Sequence, residues 1–160
     1  MEMQLLFRSM ENSGKPFVAA INGHALGGGF EICLACHYRV AIDNDKIQIG
    51  QPEAKVGLIP GAGGTQRVPR LAGVNQDIMG FLMAGNPFTP KKALSSGLIH
   101  EVTDAENLIA AAKKYINDGG KAVQPWDEKG YKFPGGLPYT PKGAMTVSYT
   151  HLTLPTILRV

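Results

Sequence analysis

The sequence predicts a single α/β domain, and three observations support this prediction. Short apolar runs such as 17–21 are typical of buried strands, and they alternate with amphipathic stretches of helical period such as 105–116. Glycine supplies 20 of the 160 residues without a regular period, which indicates many backbone turns and excludes a collagen-like chain. Hydrophobic residues make up 44% of the chain, enough for one buried core.

Composition also excludes several classes of protein. The net charge is +3 and the basic residues are spread along the chain, so we expect no nucleic-acid partner. No apolar run reaches the ~18 residues of a membrane span, and the start of the chain, which carries Glu2, has too short an apolar stretch for a signal peptide. Two cysteines in a chain of this length favour a reducing compartment, and we expect a cytoplasmic protein.

The predicted elements begin with a helix and a strand. The helix lies within 1–14 and ends at an Asn-Ser-Gly turn, with Leu5, Leu6 and Met10 along its apolar face. The strand covers 17–21, an apolar run between a proline and an Asn-Gly pair.

A strand, a glycine turn and a helix follow. Ala25 leads into Gly27-Gly28-Gly29, and the helix begins near Gly28 because apolar residues then recur at helical spacing. Two more strands are predicted over 38–42 and 46–49, on either side of an Asp-Asn-Asp turn.

The chain from residue 57 onwards is predicted to be mainly helical. A glycine loop over 57–64 leads to a helix that Thr65 caps and that ends near Leu71. The remaining predicted elements are a helix over 74–83, a helix that opens at Thr89-Pro90 and runs through KKALSS, a strand over 98–102 and an amphipathic helix over 105–116.

Composition divides the chain into three parts. Residues 1–120 form the domain, and 121–146 are rich in proline and glycine, which is typical of an extended connector. Residues 147–160 hold a string, SYTHLTLPT, that resembles translated sequencing adapter, and we expect this tail to be non-native.

The triple glycine is the first candidate for chemistry. Glycines before a helix let backbone N–H groups approach a ligand closely, and the helix N-terminus adds about half a positive charge. Gly27-Gly28-Gly29 could therefore bind an anion or stabilise an oxygen that becomes negative during a reaction. Tight packing of strand against helix is the simpler interpretation of the glycines alone.

Two carboxylates are the second candidate. Glu31 lies in the first turn of the predicted helix, and Glu53 lies before the second glycine loop; both stand in mostly apolar sequence, which suits a carboxyl to proton transfer. Together they could share one water, one activating it and the other donating a proton. The alternatives are a helix-dipole charge at Glu31 and an exposed loop charge at Glu53, and spacing alone does not bring the two together.

Other reactive side chains are expected to be structural. Cys33 and Cys36 form a C-x-x-C, but they lie inside an apolar helix without a second such pair, so we expect no metal site and no redox chemistry. Arg67 and Arg70 follow the second glycine loop, where a structural salt bridge is favoured over phosphate binding. His100, at a strand end, is expected to lie on the surface.

Three segments together resemble the crotonase family, the enoyl-CoA hydratase/isomerase superfamily. They are KPFVAAINGHALGGGFE at 15–31, GQPEAKVGLIPGAGGTQR at 50–67 and ALSSGLIHEV at 93–102. The resemblance covers about residues 10–118, and the paired signatures are highly specific. It implies a spiral of β-β-α units, here incomplete at both ends because the upstream oxyanion segment and the C-terminal helices of the family are missing from the sequence.

The resemblance also implies an activity and a site. Glu31 and Glu53 match the two catalytic glutamates of the family's hydratases, and Gly28 matches the residue whose N–H forms half of the oxyanion hole. Water would add across the double bond of a trans-2-enoyl-CoA to give a 3-hydroxyacyl-CoA, with Glu31 as base and Glu53 protonating the α-carbon. Substrate-binding positions implied in the same way are Ala25, Gly27 and Gly61. No cofactor is implied, because coenzyme A is part of the substrate.

Two alternatives to a hydratase remain. One is an isomerase or another acyl-CoA enzyme of the family, and another is a non-catalytic remnant that binds CoA thioesters. The run QPWDEKGYKFPGG at 124–136 resembles the end of the hydratase region in multifunctional fatty-acid β-oxidation enzymes. The resemblance therefore implies either a homo-trimer or hexamer, or membership of a multifunctional complex.

Overall fold

The computed structural model describes residues 2–136, 140, 141, 143 and 144. Its helices are α1 (Glu2–Glu11), α2 (Gly28–Ala35), α3 (Gly64–Ala72), α4 (Gln76–Met83), α5 (Pro90–Ser95) and α6 (Leu108–Asn117). Its strands are β1 (Val18–Ile21), β2 (Ala25–Leu26), β3 (Tyr38–Ile42), β4 (Ile49–Gly50) and β5 (Glu101–Thr103). Short 3-10 turns cover Pro52–Val56 and Pro125–Asp127.

The pairs among these five strands are parallel, which confirms the α/β prediction; Ile49 of β4 also makes an isolated antiparallel bridge to Phe88. The larger sheet has the order β1-β3-β5, with Val18 opposite Tyr38 and Val40 opposite Glu101. A second sheet pairs β2 with β4. Because parallel strands need crossover connections, the chain places helices and loops between them, and the crossover from β1 to β3 includes β2 and α2.

The main core lies between the larger sheet and helices α2, α4 and α5. Phe30 and Leu34 of α2 are fully buried, and the Phe30 ring meets Phe81 edge-on with centroids 6.0 Å apart. Helix α6 covers the opposite face of the sheet, where Val40 packs with Leu108. Strand β3 is therefore buried on both faces, as its apolar run at 40–42 leads one to expect, and Arg39 is the polar exception.

Two buried polar side chains hold the C-terminus of α2. Arg39 is fully buried, and its Nη1 donates to the carbonyl oxygens of Cys36 at 2.6 Å and Cys33 at 3.3 Å, while its Nε donates to Leu98 O at 2.8 Å. Gln124 donates through Nε2 to Ala35 O at 3.0 Å and to Cys36 O. Burial lowers the pKa of Arg39 to about 10, so the guanidinium stays charged at neutral pH.

Several boundaries differ from the predictions. Helix α1 covers Glu2–Glu11, within the predicted 1–14, but two of its three predicted inward residues are wrong: Leu5 and Leu6 are 66% and 59% exposed, whereas Phe7 is buried. The third, Met10, is partly buried and packs against the cluster that holds Phe7. Helix α3 begins one residue before Thr65, with Gly63 as its N-cap. Strand β5 begins later than the predicted 98–102, because Leu98 enters the core as part of the approach to the strand.

The first part of the predicted connector packs on the domain. Arg8 of α1 makes two 2.7 Å bonds to Asp127, and the Tyr131 hydroxyl donates to Arg70 O at 2.6 Å. The predicted tail, 147–160, lies outside the described residues. Within the described ranges, no helix is both long and apolar enough to cross a membrane.

Candidate active site

The glycine turn leaves backbone N–H groups open at the start of α2. Gly27 is the N-cap, with φ +55°, and its carbonyl oxygen accepts from the N–H groups of Phe30 and Glu31 at 2.9 and 3.0 Å. Its own N–H donates to Gly50 O of β4 at 2.9 Å, which ties the turn to the smaller sheet. The N–H groups of Gly28 and Gly29 have no acceptor among the described residues. They are free to donate to an anionic oxygen.

Glu31 is held one turn further along the same helix. Its side chain is buried, at 2% exposure, and Oε1 accepts from Ala62 N at 2.9 Å and Gly64 N at 2.7 Å. Ala62 belongs to the glycine loop before α3, and Gly64 is the first residue of that helix. No described residue donates to Oε2 of Glu31, so one carboxylate oxygen is fixed and the other is left for a further ligand.

Glu53 reaches the same place from the 3-10 turn after β4. It is half-buried, and its Oε1 lies so close to Gly27 that a Cβ added there would be only 3.1 Å away. The Gln51 side chain is fully buried; with its amide nitrogen facing the carboxylate, it donates to both oxygens of Glu53 at 3.1 and 3.2 Å. The structure thus places Glu53 beside the start of α2.

The two glutamates are connected through Gln51 and Gly64, which lie side by side. A Cβ at position 64 would be 2.9 Å from the Gln51 amide carbon, so glycine is required there for this close approach. Gly64 also donates to Glu31, and Gln51 donates to Glu53. Sequence reasoning did not single out Gln51; the available signal was a polar side chain directly after an apolar strand and two residues before Glu53.

The other predicted site residues lie around this centre. Ala25 is buried in the core, and its N–H donates to Gln48 O at 2.9 Å. Gly27 forms the turn itself. Gly61 is exposed, and its carbonyl oxygen accepts from the Gln4 side chain at 2.9 Å. Their contact with a substrate stays a prediction.

The cysteines lie at the C-terminal end of α2, where Cys33 is half-buried in the last turn and Cys36 is the buried C-cap. Burial raises the pKa of Cys33 to about 11 and also raises the pKa of Cys36, which keeps both thiols protonated. Each Sγ donates to a carbonyl oxygen one turn earlier, Gly29 O for Cys33 and Ile32 O for Cys36. No group of three or more metal-ligating side chains occurs within the part of the chain that is described.

The remaining polar residues have structural partners. Arg67 makes a salt bridge, as predicted, through a 2.6 Å contact to Glu11, which sequence reasoning had not identified. Arg70 makes no ion pair within the described ranges and donates to Gln66. His100 is exposed as predicted, although its ring stacks on Tyr38 and its Nδ1 accepts from Arg39 N at 3.2 Å. Desolvation of the ring on this covered side, followed by the Arg39 charge, lowers the pKa of His100 to about 4.

Known proteins share this arrangement of sequence and fold. A family model described as enoyl-CoA hydratase/isomerase matches residues 1–122. Fatty acid oxidation complex subunit alpha of Shewanella frigidimarina is 42% identical over 121 residues, which are 76% of this chain and 17% of that protein. The subunit of the same name from Idiomarina loihiensis is 46% identical over 112 residues, 70% of this chain and 16% of that protein.

A solved structure agrees with these sequence matches. The enoyl-CoA hydratase of Bacillus anthracis superimposes with a TM-score of 0.67 at 35% identity, over 72% of this chain and 44% of that one. The predicted crotonase-like fold is thereby confirmed for the matched region. The chain spans about a sixth of the length of the curated relatives it matches. On the family match, the site geometry and the fold together, this chain belongs to the enoyl-CoA hydratase/isomerase family.

Proposed function

We propose that the protein hydrates trans-2-enoyl-CoA thioesters to 3-hydroxyacyl-CoA in fatty-acid β-oxidation. The observation that carries this proposal is that Glu31 and Glu53 both lie at the start of α2, where two glycine N–H groups have no acceptor among the described residues. Hydration needs a base for water, an acid for carbon and a donor for the thioester oxygen, and this one site offers all three.

The two carboxylates have different surroundings, which suit different roles. Glu31 has Oε1 fixed by two backbone N–H groups, so Oε2 can accept a proton from a water molecule. Glu53 faces the start of α2 and can give a proton to the α-carbon. The step balances: the water oxygen bonds to C3, one water proton passes to Glu31, and Glu53 protonates C2 as the double bond is lost.

The thioester oxygen gains negative charge while C3 is attacked. The Gly28 N–H is suited to stabilise it, because no described residue accepts from it and it lies at the positive end of an eight-residue helix. Loss of one such donor typically raises the barrier by ~3–4 kcal/mol. Gly27, Gly61 and Ala25 are proposed to border the bound thioester.

The assembly, the cofactor requirement and the location of the protein are the next parts of the proposal. Proteins named as alpha subunits of a fatty acid oxidation complex match this chain, so we propose that it acts in a comparable complex or as a homo-trimer or hexamer. We propose no resident cofactor, since the coenzyme A arrives with the substrate. The free thiols of Cys33 and Cys36 and the chemistry of β-oxidation favour a cytoplasmic location.

Glutamine variants of the natural protein test the proposal. Glu31→Gln and Glu53→Gln keep the side-chain shape but remove the proton-transfer group, and each should lower kcat for hydration by about 10²–10⁴-fold. Glu106→Gln, an exposed carboxylate away from the site, is the matched control and should leave kcat unchanged.

Three outcomes would contradict the assignment. Full hydration by either glutamate variant would remove that residue from the mechanism. Conversion of a 3-enoyl-CoA to the 2-enoyl isomer without hydrated product would favour an isomerase. A natural protein that binds CoA thioesters but turns none over would favour a non-catalytic role.

A further inference from the structure

The glycine loop that donates a backbone hydrogen bond to Glu31 is itself bound by a buried arginine. Ala62 makes two backbone hydrogen bonds. Its N–H donates to Glu31 Oε1, and its carbonyl oxygen accepts from Arg67 Nη1 at 3.0 Å. The same guanidinium contacts Glu11 through Nε at 2.6 Å. One residue of the loop therefore connects the carboxylate of Glu31 with an ion pair behind it.

The loop and the guanidinium are fitted to each other. Gly63 has φ +108°, and a Cβ at this position would overlap Arg67 Nη1. Glycine is thus needed both for the backbone conformation and for the approach of the arginine. The side chain of Arg67 is only 8% exposed, so its position is set by these contacts and not by solvent.

Glu11 extends the contact network away from the site. Its side chain is 1% exposed, and Oε2 accepts from Arg8 Nη1 at 2.8 Å while Oε1 accepts from Arg67. Arg8 in turn pairs with both oxygens of Asp127, in the segment that follows the domain. Two cations and two carboxylates alternate in this network, so the buried charges are compensated.

We infer that Arg67, held by Glu11, is a positioning residue for the Glu31 carboxylate. It fixes the 62–64 backbone so that two N–H groups converge on Oε1, and it thereby fixes the direction of Oε2 towards water. Buried ion pairs are often no more stabilising than apolar replacements of similar volume, so stability alone does not account for this pair. This inference rests on the proposed hydratase function.

Arg67→Lys in the natural protein tests the inference. Lysine keeps the positive charge that compensates Glu11. Its single ammonium nitrogen cannot replace the two guanidinium nitrogens of arginine, one of which donates to Glu11 and the other to Ala62 O. We expect kcat for hydration to fall roughly 10- to 100-fold, with KM changed less than about twofold, because a small displacement of a catalytic group is enough. Arg70→Lys, one turn further along α3, is the matched control and should change neither constant.

A second reaction separates positioning from general damage. Exchange of the α-hydrogen of a saturated acyl-CoA in D₂O needs Glu53 to remove and return the proton and Gly28 to stabilise the enolate, but it needs no attack by water. Arg67→Lys should therefore keep the exchange rate of the natural protein while hydration falls. If exchange falls as much as hydration, the site as a whole is disturbed and the inference is wrong.

A milder variant covers the case in which Arg67→Lys does not fold. Glu11→Gln keeps an acceptor for Arg67 Nε but removes the charge, and it should lower kcat in the same direction with exchange retained. If the natural protein hydrates enoyl-CoA and the folded variants keep its kcat, the inference alone fails. If the natural protein hydrates no enoyl-CoA, the proposed function fails and the inference with it.

Discussion

Replacing Gly28 by proline removes one hydrogen-bond donor and puts the ring Cδ in the place of the amide hydrogen. Gly28 is the first residue of α2, the one helical position where proline is favoured, because the N–H there has no partner within the helix. The preceding Gly27 has φ +55° and ψ −131°, the mirror image of an extended conformation that proline accepts in the residue before it. A Cβ at position 28 meets no atom within 4 Å.

The expected effect on catalysis is large. If Gly28 N–H binds the thioester oxygen as negative charge develops, its loss raises the barrier by ~3–4 kcal/mol and lowers kcat by about 10²–10³-fold. The effect on folding is small by comparison, since no described hydrogen bond is lost and the φ of proline suits a helix start. Steady-state hydration, followed by the loss of ultraviolet absorbance of the enoyl thioester, measures the first effect, and urea unfolding measures the second.

Two further variants make the test decisive. Gly28→Ala adds a side chain but keeps the N–H, so its kcat should stay close to that of the natural protein. Gly29→Pro removes the neighbouring unpaired N–H and identifies which of the two groups matters. Equal kcat values for Gly28→Pro and Gly28→Ala would refute the role of this N–H, and a loss confined to Gly29→Pro would transfer the role to Gly29.

Three predictions concern the C-terminal end of α2. Arg39→Met should lower the free energy of unfolding by about 3 kcal/mol in urea titrations, because several buried carbonyls lose their donor. Gln124→Met should lower it by about 1 kcal/mol or less, since the change also removes the unpaired buried Oε1 of Gln124 and leaves Arg39 bonded to Cys36 O. His100 has its pKa lowered to about 4, so the stability it contributes is complete above pH ~6.5 and is lost as the pH falls towards 4; His100→Gln should flatten that part of the stability profile.

The start of α2 could be predicted because its determinants are local. Three consecutive glycines, a preceding apolar run and apolar residues at helical spacing all lie within about twenty positions of one another. The structure confirms a strand, a glycine turn and a helix that begins at Gly28. The same holds for α5, which opens at Thr89-Pro90 as predicted, and the structure adds that Thr89 is the N-cap and accepts from Lys92 N.

The orientation of α1 could not be predicted because its determinants are distant. The apolar pattern favoured Leu5 and Leu6 as the inward face, but Phe7 and Glu11, one turn apart, are the buried pair. Glu11 is inside because Arg67, far along the chain, compensates its charge there. A single sequence contains both residues without indicating that they meet. The sequence likewise does not indicate that Gln51 and Gly64 connect Glu31 with Glu53.

Helix α2 is satisfied at one end and open at the other, and this asymmetry suits catalysis. At its C-terminus, a buried cation and an amide take up the last carbonyl groups, which neutralises the negative end of the helix dipole. At its N-terminus, the Gly28 and Gly29 N–H groups have no described acceptor, although pairing them would have stabilised the fold. Donors held rigidly and left unpaired need no rearrangement when charge develops beside them. The anchoring by Arg39 and Gln124 therefore bears on the site as well as on stability.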